Sequence, residues 1–431
     1  MTACFPTVAI VGSGPSGCYV AQFLQKKWAG AQITIFEALP VPYGLIRYGV
    51  AADHQGSKAV IQQFERMFEK GGVEFRGNVS IGRDISYAKL TESFDIVVLA
   101  TGLNNDATLD IPVHPQAPVV GAGSVLKALN GHPRASLPKL VDGTIRKLGR
   151  NVAVIGSGNV AIDVLRMVAK SDDELAGSDI ADEIRIALGT EEVNSLTLIS
   201  RSSASDAKCD ESMMAELLSL PGVAIRAQGI NEDDQGPIAQ LLKLASGREI
   251  SLGFSRLFVN FMFNAVPVEV EEERGLAKVS LVDRLTGLRA EMMFDTVVTA
   301  IGFNNENARQ SIVPSEDLAG DGVYRVGWLR RGPKGTVAEN RKDAKAVSDQ
   351  IVSDYEAGIV QARKLGLISI VHELPIGVVN HEGWLRIDRH ERACAKPTRC
   401  REKVTEIRAM LKIAQSGDDI KVIAASEELV D

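Results

Sequence analysis

Residues 7–17 read TVAIVGSGPSG, and YVAQFLQKK follows at 19–27. A β-favouring apolar run enters a glycine-rich turn and leaves it as a helix, with Gly12, Gly14 and Gly17 in GxGxxG order. The first glycine permits the tight turn, the second lets backbone approach a pyrophosphate, and the third lets helix pack on strand. The amides of the helix N-terminus then face the phosphates. A second strand, QITIFE, ends at Glu37, twenty residues past Gly17, where a carboxylate accepts hydrogen bonds from an adenosine ribose. Strand, turn, helix, strand and terminal acid at this spacing predict a dinucleotide-binding unit and an α/β fold.

Working outward, ALPVPYGLIRYGVAADHQGSK (38–58) is punctuated by proline and glycine and is expected to be an ordered loop. AVIQQFERMFEKGG has the pattern of an amphipathic helix, and VEFRGN that of a strand. FDIVVLATG is an apolar strand ending in Ala100, Thr101 and Gly102, small residues that suit close approach to a cofactor. A crossover is expected at IPVHPQAP.

The unit then recurs. NVAVIGSGNVAIDVLRMVAK (151–170) carries Gly156 and Gly158, with Ala161 at the third position. Two such units about 145 residues apart imply two dinucleotides, or one very unusual duplication. The next strand, SLTLIS, closes on Ser200 and Arg201 with no acid at its end. An acid would repel a 2'-phosphate, whereas Arg201 with Ser202 and Ser203 offers charge and hydroxyl donors, which favours NADPH. SDDELAGSDIADEIRIALGTEE (171–192) reads as a solvent-facing insertion with one short helix. LFVNFMFNAVPVEVEEE and AKVSLVD read as adjacent strands, and FDTVVTAIGF, ending Thr299, Ala300, Ile301 and Gly302, echoes the earlier VVLATG strand.

A chain of 431 residues suits two nucleotide-sized domains. No uncharged apolar run reaches 18 residues, so no membrane span is expected, and the opening residues lack a basic leader, so neither is a secretion signal. The net charge of -7 argues against general nucleic-acid binding. Cys4, Cys18, Cys209, Cys394 and Cys400 form no CxxC and no metal-site spacing, so no metal is expected and reduced thiols in the cytoplasm are. A disulfide reductase needs a close redox pair, and none offers itself.

The markers VAIVGSGPSG, FEALPVPYGLIRYGVAADHQGSK, NGHP (130–133), GSGNVAIDVLR, PVEV, GWLRRGPKGTVAENRKDA and GWLRIDRHERACAKPTRCREK resemble the adrenodoxin reductase family of ferredoxin–NADP reductases over nearly the whole chain. The resemblance implies a glutathione-reductase-like fold of two Rossmann-like domains. An FAD domain would be built discontinuously from residues 1–110 and 325–431, around an NADPH domain at 111–324. It implies that Gly12, Ser13, Gly14, Pro15, Gly17 and Glu37 hold the adenosine half of FAD, with Thr101 and Gly102 close by. Leu45, Trp328, Gly335, Thr336 and Val337 would line the flavin, a helix near Gly335 presenting amides to the reduced ring. Gly156, Gly158, Asn159, Val160, Arg201 and Ser202 would hold NADPH, with Glu216 resembling an acidic position of the 2'-phosphate site. His54 and Asp163 match positions near the nicotinamide and, with Trp328, complete the candidate catalytic set. The implied reaction is hydride transfer from NADPH to FAD, then single-electron transfer to a separate acidic ferredoxin-like iron–sulfur protein. Arg330, Arg331, Lys334 and Arg256 are candidates for its basic docking surface.

The chain departs from the family where Ser202 replaces a second arginine, where Ala128 and Leu129 replace an aromatic pair, and where Ala338 and Glu339 replace a small residue and threonine. An oxidase or small-molecule oxidoreductase on the same scaffold, and a non-catalytic flavin-binding regulator, remain as alternatives.

Overall fold

The computed structural model describes residues 5–103, 105–231, 233–246, 256–304 and 322–416; Cys4 lies outside them. Two wholly parallel sheets organise the chain. The first runs β16–β4–β1–β2–β3, from Val323–Arg325, Ile96–Leu99, Val8–Val11, Ile33–Glu37 and Val73–Gly77. The second runs β6–β14–β7–β8–β10–β9, from Val119–Gly121, Thr296–Thr299, Asn151–Ile155, Ser195–Ile199, Leu257–Met262 and Val223–Gln228. Parallel strands are covered on both faces, which is why they read as continuous Val, Ile and Leu runs; β1 and β4 are buried at every residue. In each sheet the strand that leads into a glycine turn is central, β1 between β4 and β2, and β7 between β14 and β8.

Helices α1 (Pro15–Lys27), α4 (Ile61–Glu69), α5 (Tyr87–Ser93) and the long α12 (Val337–Glu356) belong to the first sheet. Helices α6 (Ala122–Leu129), α7 (Asn159–Ala169), α8 (Asp182–Leu188), α9 (Glu211–Leu218) and α10 (Pro237–Ser246) belong to the second. Proline at its first turn and Lys26 and Lys27 in its last suit α1 to its two ends. The tail helices α13 (His381–Ala393) and α14 (Ile407–Gln415) pack on each other and add Trp384, Ile387 and Met410 to the first core.

The two connections between the halves lie side by side, β5 (Asn105–Asp106) pairing antiparallel with β15 (Phe303–Asn304). A meander of β11 (Ala265–Glu273), β12 (Leu276–Asp283) and β13 (Arg289–Phe294) covers the second sheet. The expected single strand over 257–273 is therefore two: Asn264 takes a positive φ of 57°, and the chain leaves the parallel sheet to begin the meander. Segment 38–58, expected as a loop, contains two short helices, α2 (Gly44–Tyr48) and α3 (Gln55–Lys58).

Residues 171–192 are not a solvent-facing insertion. Leu175, Ser178, Asp179, Ile180 and Arg185 are buried, because Asp179 and the Leu175 and Ser178 carbonyls find partners in the other half, and Arg185 finds Asp172 and Glu191 within the segment itself. Asp179 lies between Lys58 (2.7 Å) and Lys403 (2.8 Å), both buried, and Lys58 also donates to Asn130 (2.7 Å). Burial works against the Asp179 carboxylate, yet the two ammonium groups lower its pKa to about 2. Arg399 reaches Asp172 and Asp182, and Cys400 N donates to the Ser178 carbonyl (3.0 Å). Buried ion pairs contribute little net stability but cost several kcal/mol when one partner is removed, about 3–5 kcal/mol. These pairs link the two halves at this joint.

Candidate functional site: two glycine turns and the charge network between them

At the first turn Gly12 has φ of 105°, and a methyl group there would lie 2.5 Å from the Ala100 carbonyl oxygen. At Gly17 the methyl would meet the Gly12 carbonyl oxygen at 2.2 Å, so only glycine lets α1 sit this close to the turn. Gly14, by contrast, faces open space. Glu37 accepts from Ser13 N (3.0 Å) and Ser13 Oγ (2.7 Å) through one oxygen and from Leu39 N (3.1 Å) through the other. The acid at the end of β2 is thereby oriented, and Ser13, fully buried, serves it.

Three further elements converge on this turn. Gly44, at the start of α2, comes so close that a methyl there would be 3.1 Å from Gly14 Cα, and Leu45 follows it half-buried. Ser16 Oγ donates to Asn340 of α12 (3.3 Å), and Arg331 Nη2 donates to the same oxygen (2.8 Å). Trp328 opens the short α11 (Trp328–Arg331), its ring 5.4 Å from Phe303, and its indole Nε1 is buried without a hydrogen-bond partner. Gly335 and Thr336 are exposed and Val337 half-buried at the start of α12, while Thr101 and Gly102 are half-buried beyond β4. A resident dinucleotide fits what is seen: an open face at Gly14, a close second backbone, and an orphaned indole donor in need of an acceptor.

The second turn repeats the first. Gly156 has φ of 126°, and a methyl there would lie 2.3 Å from the Ala300 carbonyl oxygen. Gly158 precedes α7 and faces open space, while Asn159 Oδ1 accepts from Asp210 N (2.7 Å). Val160 packs on the second core, and Ala161 is fully buried where the first turn has Gly17. No carboxylate closes β8. Ser200 Oγ instead bonds Ser157 Oγ (3.0 Å) and accepts from Ser202 N (3.2 Å), leaving Arg201 exposed.

Between the two halves lies a network that sequence reading caught only in part, joining Asp53 and His54 to residues of the second half. His54 and Asp163 come together as expected of neighbours, with His54 Nδ1 4.0 Å from Asp163. Glu216, read from sequence as part of the 2'-phosphate site, joins them: His54 Nε2 is 3.6 Å from its carboxylate, and Arg166 donates to it at 2.7 Å. Arg166, fully buried, also holds Asp53 (2.6 and 3.2 Å) and Asp163 (3.0 Å), and Lys170 Nζ bonds both Asp53 and Glu216. Asp163, Arg166 and Lys170 are spaced i, i+3, i+7 along the same helical stripe, a signal available in NVAIDVLRMVAK. Burial raises the Asp163 pKa against the pull of Arg166; at Asp53 burial also opposes ionisation, but Arg166 and Lys170 overcome it and lower the pKa. Asp53, His54 and Glu216 are close enough to share a cation, but Arg166 and Lys170 already occupy both carboxylates with positive charge.

Of the proposed docking cations, Arg330 and Arg331 both turn back to Asp343, and Arg256 donates to the Ala169 carbonyl. Glu339 reaches Lys342 (2.8 Å) on the surface of α12. The four described cysteines are unpaired, and burial raises every one of their thiols, Cys209 to about 11. Among the described residues no helix is long and apolar enough to cross a membrane.

The pyridine nucleotide-disulphide oxidoreductase family profile matches residues 6–253. The cindoxin reductase of Citrobacter braakii is 38% identical over 428 residues, covering 95% of this chain and 92% of its own. The mitochondrial NADPH:adrenodoxin oxidoreductase of Arabidopsis thaliana is 29% identical, over 89% and 90%. The solved structure of Mycobacterium tuberculosis FprA in complex with NADPH superposes with a TM-score of 0.84 at 27% identity, covering 95% of this chain and 100% of that one.

Proposed function

The chain belongs to the FAD- and NAD(P)-binding ferredoxin–NADP reductase family of adrenodoxin-reductase type, and from that premise we propose how its residues share the reaction. It is an NADPH-dependent flavoprotein reductase that passes electrons to a ferredoxin-type protein. The observation that carries the reading is the repeated turn, Gly12 against Ala100 and Gly156 against Ala300, in one molecule. FAD, when bound, takes an electron pair as hydride from NADPH and hands the electrons on singly.

In our reading residues 1–110 and 325–431 hold FAD, and 111–324 hold NADPH. Gly12, Gly14, Pro15 and Gly17 admit the FAD pyrophosphate, with Glu37 at the ribose. Trp328, Leu45 and the start of α12 at Gly335 to Val337 border the flavin, where α12's amides favour negative charge. Gly156, Gly158, Asn159 and Val160 receive the NADPH pyrophosphate, and Arg201 with Ser202 the 2'-phosphate. His54 and Asp163 act by position: hydride transfer needs alignment more than proton shuttling, and the Arg166 network fixes their relation. Among the four candidate docking cations Lys334 is exposed and, among the described residues, makes no ion pair, which suits it to an acidic iron–sulfur partner, whereas Arg330 and Arg331 pair with Asp343. The unpaired thiols support a reducing compartment, and we assign the cytoplasm.

Anaerobic stopped-flow reduction of the FAD-loaded protein tests the reading. NADPH should bleach it rapidly and saturably, and Arg201→Ala should lower kcat/KM for NADPH about tenfold while sparing NADH. Equal losses for both nucleotides would remove Arg201 from the 2'-phosphate.

A further inference from the structure

We propose that Lys208 is a phosphate ligand of the pyridine nucleotide, acting at its pyrophosphate and offsetting the affinity lost where Ser202 stands in place of a second arginine. The proposal rests on the reading that the second glycine turn receives NADPH. Beyond Arg201 the chain doubles back over that turn. Lys208 N donates to the Ser157 carbonyl (3.2 Å), and Lys208 pairs with Gly158 as neighbouring parallel strands do. Asp210 N, two residues on, donates to Asn159 Oδ1 (2.7 Å), pinning the same segment to the first residue of α7.

Lys208 therefore stands about 4.8 Å, one strand spacing, from the backbone of the turn. Its flexible four-carbon stem carries a point charge across that distance. The side chain is exposed and, among the described residues, makes no ion pair, while the open face of Gly158 is where a phosphate must come.

Local charge sharpens the point. Between 201 and 211 the cations Arg201 and Lys208 face Asp206, Asp210 and Glu211. Asp206 accepts from Ser203 Oγ (2.8 Å) and Asp210 from Ser212 N (2.9 Å), so neither is neutralised by a lysine or arginine among the described residues. Without Lys208 a multiply charged phosphate would approach three carboxylates and one guanidinium. Arg201 stands two residues past the end of β8, the strand end that would meet a ribose, whereas Lys208 is registered on Gly158 at the helix N-terminus. That divides the work: Arg201 discriminates between NADPH and NADH, and Lys208 binds what the two share.

The experiment compares reduction of the FAD-loaded wild type, Lys208→Ala, Lys208→Arg and Arg201→Ala by NADPH and by NADH. Flavin absorbance reports in each case that the protein is folded and loaded. Lys208→Ala should weaken apparent binding of both nucleotides about tenfold, with the limiting rate and the NADPH-to-NADH preference unchanged, because the contact is equal in ground and transition states. Lys208→Arg should restore most of it. A loss confined to NADPH would overturn the assignment by moving Lys208 to the 2'-phosphate, and no loss with either would overturn it outright. Wild-type protein left oxidised by both nucleotides would sink the reductase reading itself, an outcome that no Lys208 variant can mimic.

Discussion

The two glycine turns are built alike and closed differently. Each puts a glycine of positive φ against the carbonyl of an alanine at the end of the neighbouring strand, Ala100 or Ala300. The first is then sealed by a carboxylate, Glu37 on Ser13, and overlaid by α2, α11 and α12. The second is sealed by two hydroxyls, Ser200 on Ser157, and its cations Arg201 and Lys208 stay in water. A covered turn with an oriented acid suits a nucleotide that stays; an open one with free cations suits a nucleotide that must leave each cycle. On the proposed reading the same local backbone serves a cofactor and a substrate, and the surroundings decide which.

The largest test exchanges the two matching geometries for clashes. Gly12→Ala should yield colourless protein, because its methyl meets Ala100 O at 2.5 Å. Gly156→Ala, with the clash at 2.3 Å, should yield yellow protein whose kcat/KM for NADPH falls at least about a hundredfold. Absorbance and stopped-flow traces separate the two, and colour lost from both variants would mean that the turns do not hold separate nucleotides.

The joint between the regions supplies the next. His132 meets Tyr48 edge-on at 4.8 Å, and burial, with Lys127 and Arg134 nearby, lowers its pKa from 6.5 to about 4. A histidine with a depressed folded-state pKa contributes stability above its unfolded pKa and loses it as pH falls from about 6.5 towards 4. Unfolding free energies from urea melts at about pH 7.5 and about pH 5 should differ by about 2 kcal/mol, and His132→Asn should remove that part of the pH dependence. An unchanged slope in the variant would move the acid sensitivity elsewhere.

The smallest concerns the third position of each motif. Ala161→Gly makes the second turn resemble the first; it should cost about 1 kcal/mol in thermal stability and leave NADPH kinetics intact. A large kinetic change would mean that the methyl, not merely its space, positions α7.

Both sheets and both turns were legible in the sequence because their determinants are local. A buried parallel strand is a run of Val, Ile and Leu, and a glycine turn lies within six residues. The Arg166 network was half legible. His54, Asp163 and Glu216 stand out in the sequence, and the stripe of Arg166 and Lys170 is local, but Asp53 joins them only where segments more than 100 residues apart meet. The polar run 171–192 looked solvated because a sequence gives charged residues the same appearance whether water or Lys58 and Lys403 receive them. The break at Asn264 was hidden for the opposite reason: apolar residues continue across it, and only the backbone angle turns.

Strand β16 pairs with β4 more than 200 residues after β4 has been made. On a ribosome adding about 5–20 residues per second, the first sheet waits tens of seconds with β4 as a bare edge, open to the wrong neighbour. The second sheet, whose six strands fall between Val119 and Thr299, can close meanwhile. The part of the molecule begun first is therefore finished last, and the finished half becomes the companion beside which it is completed.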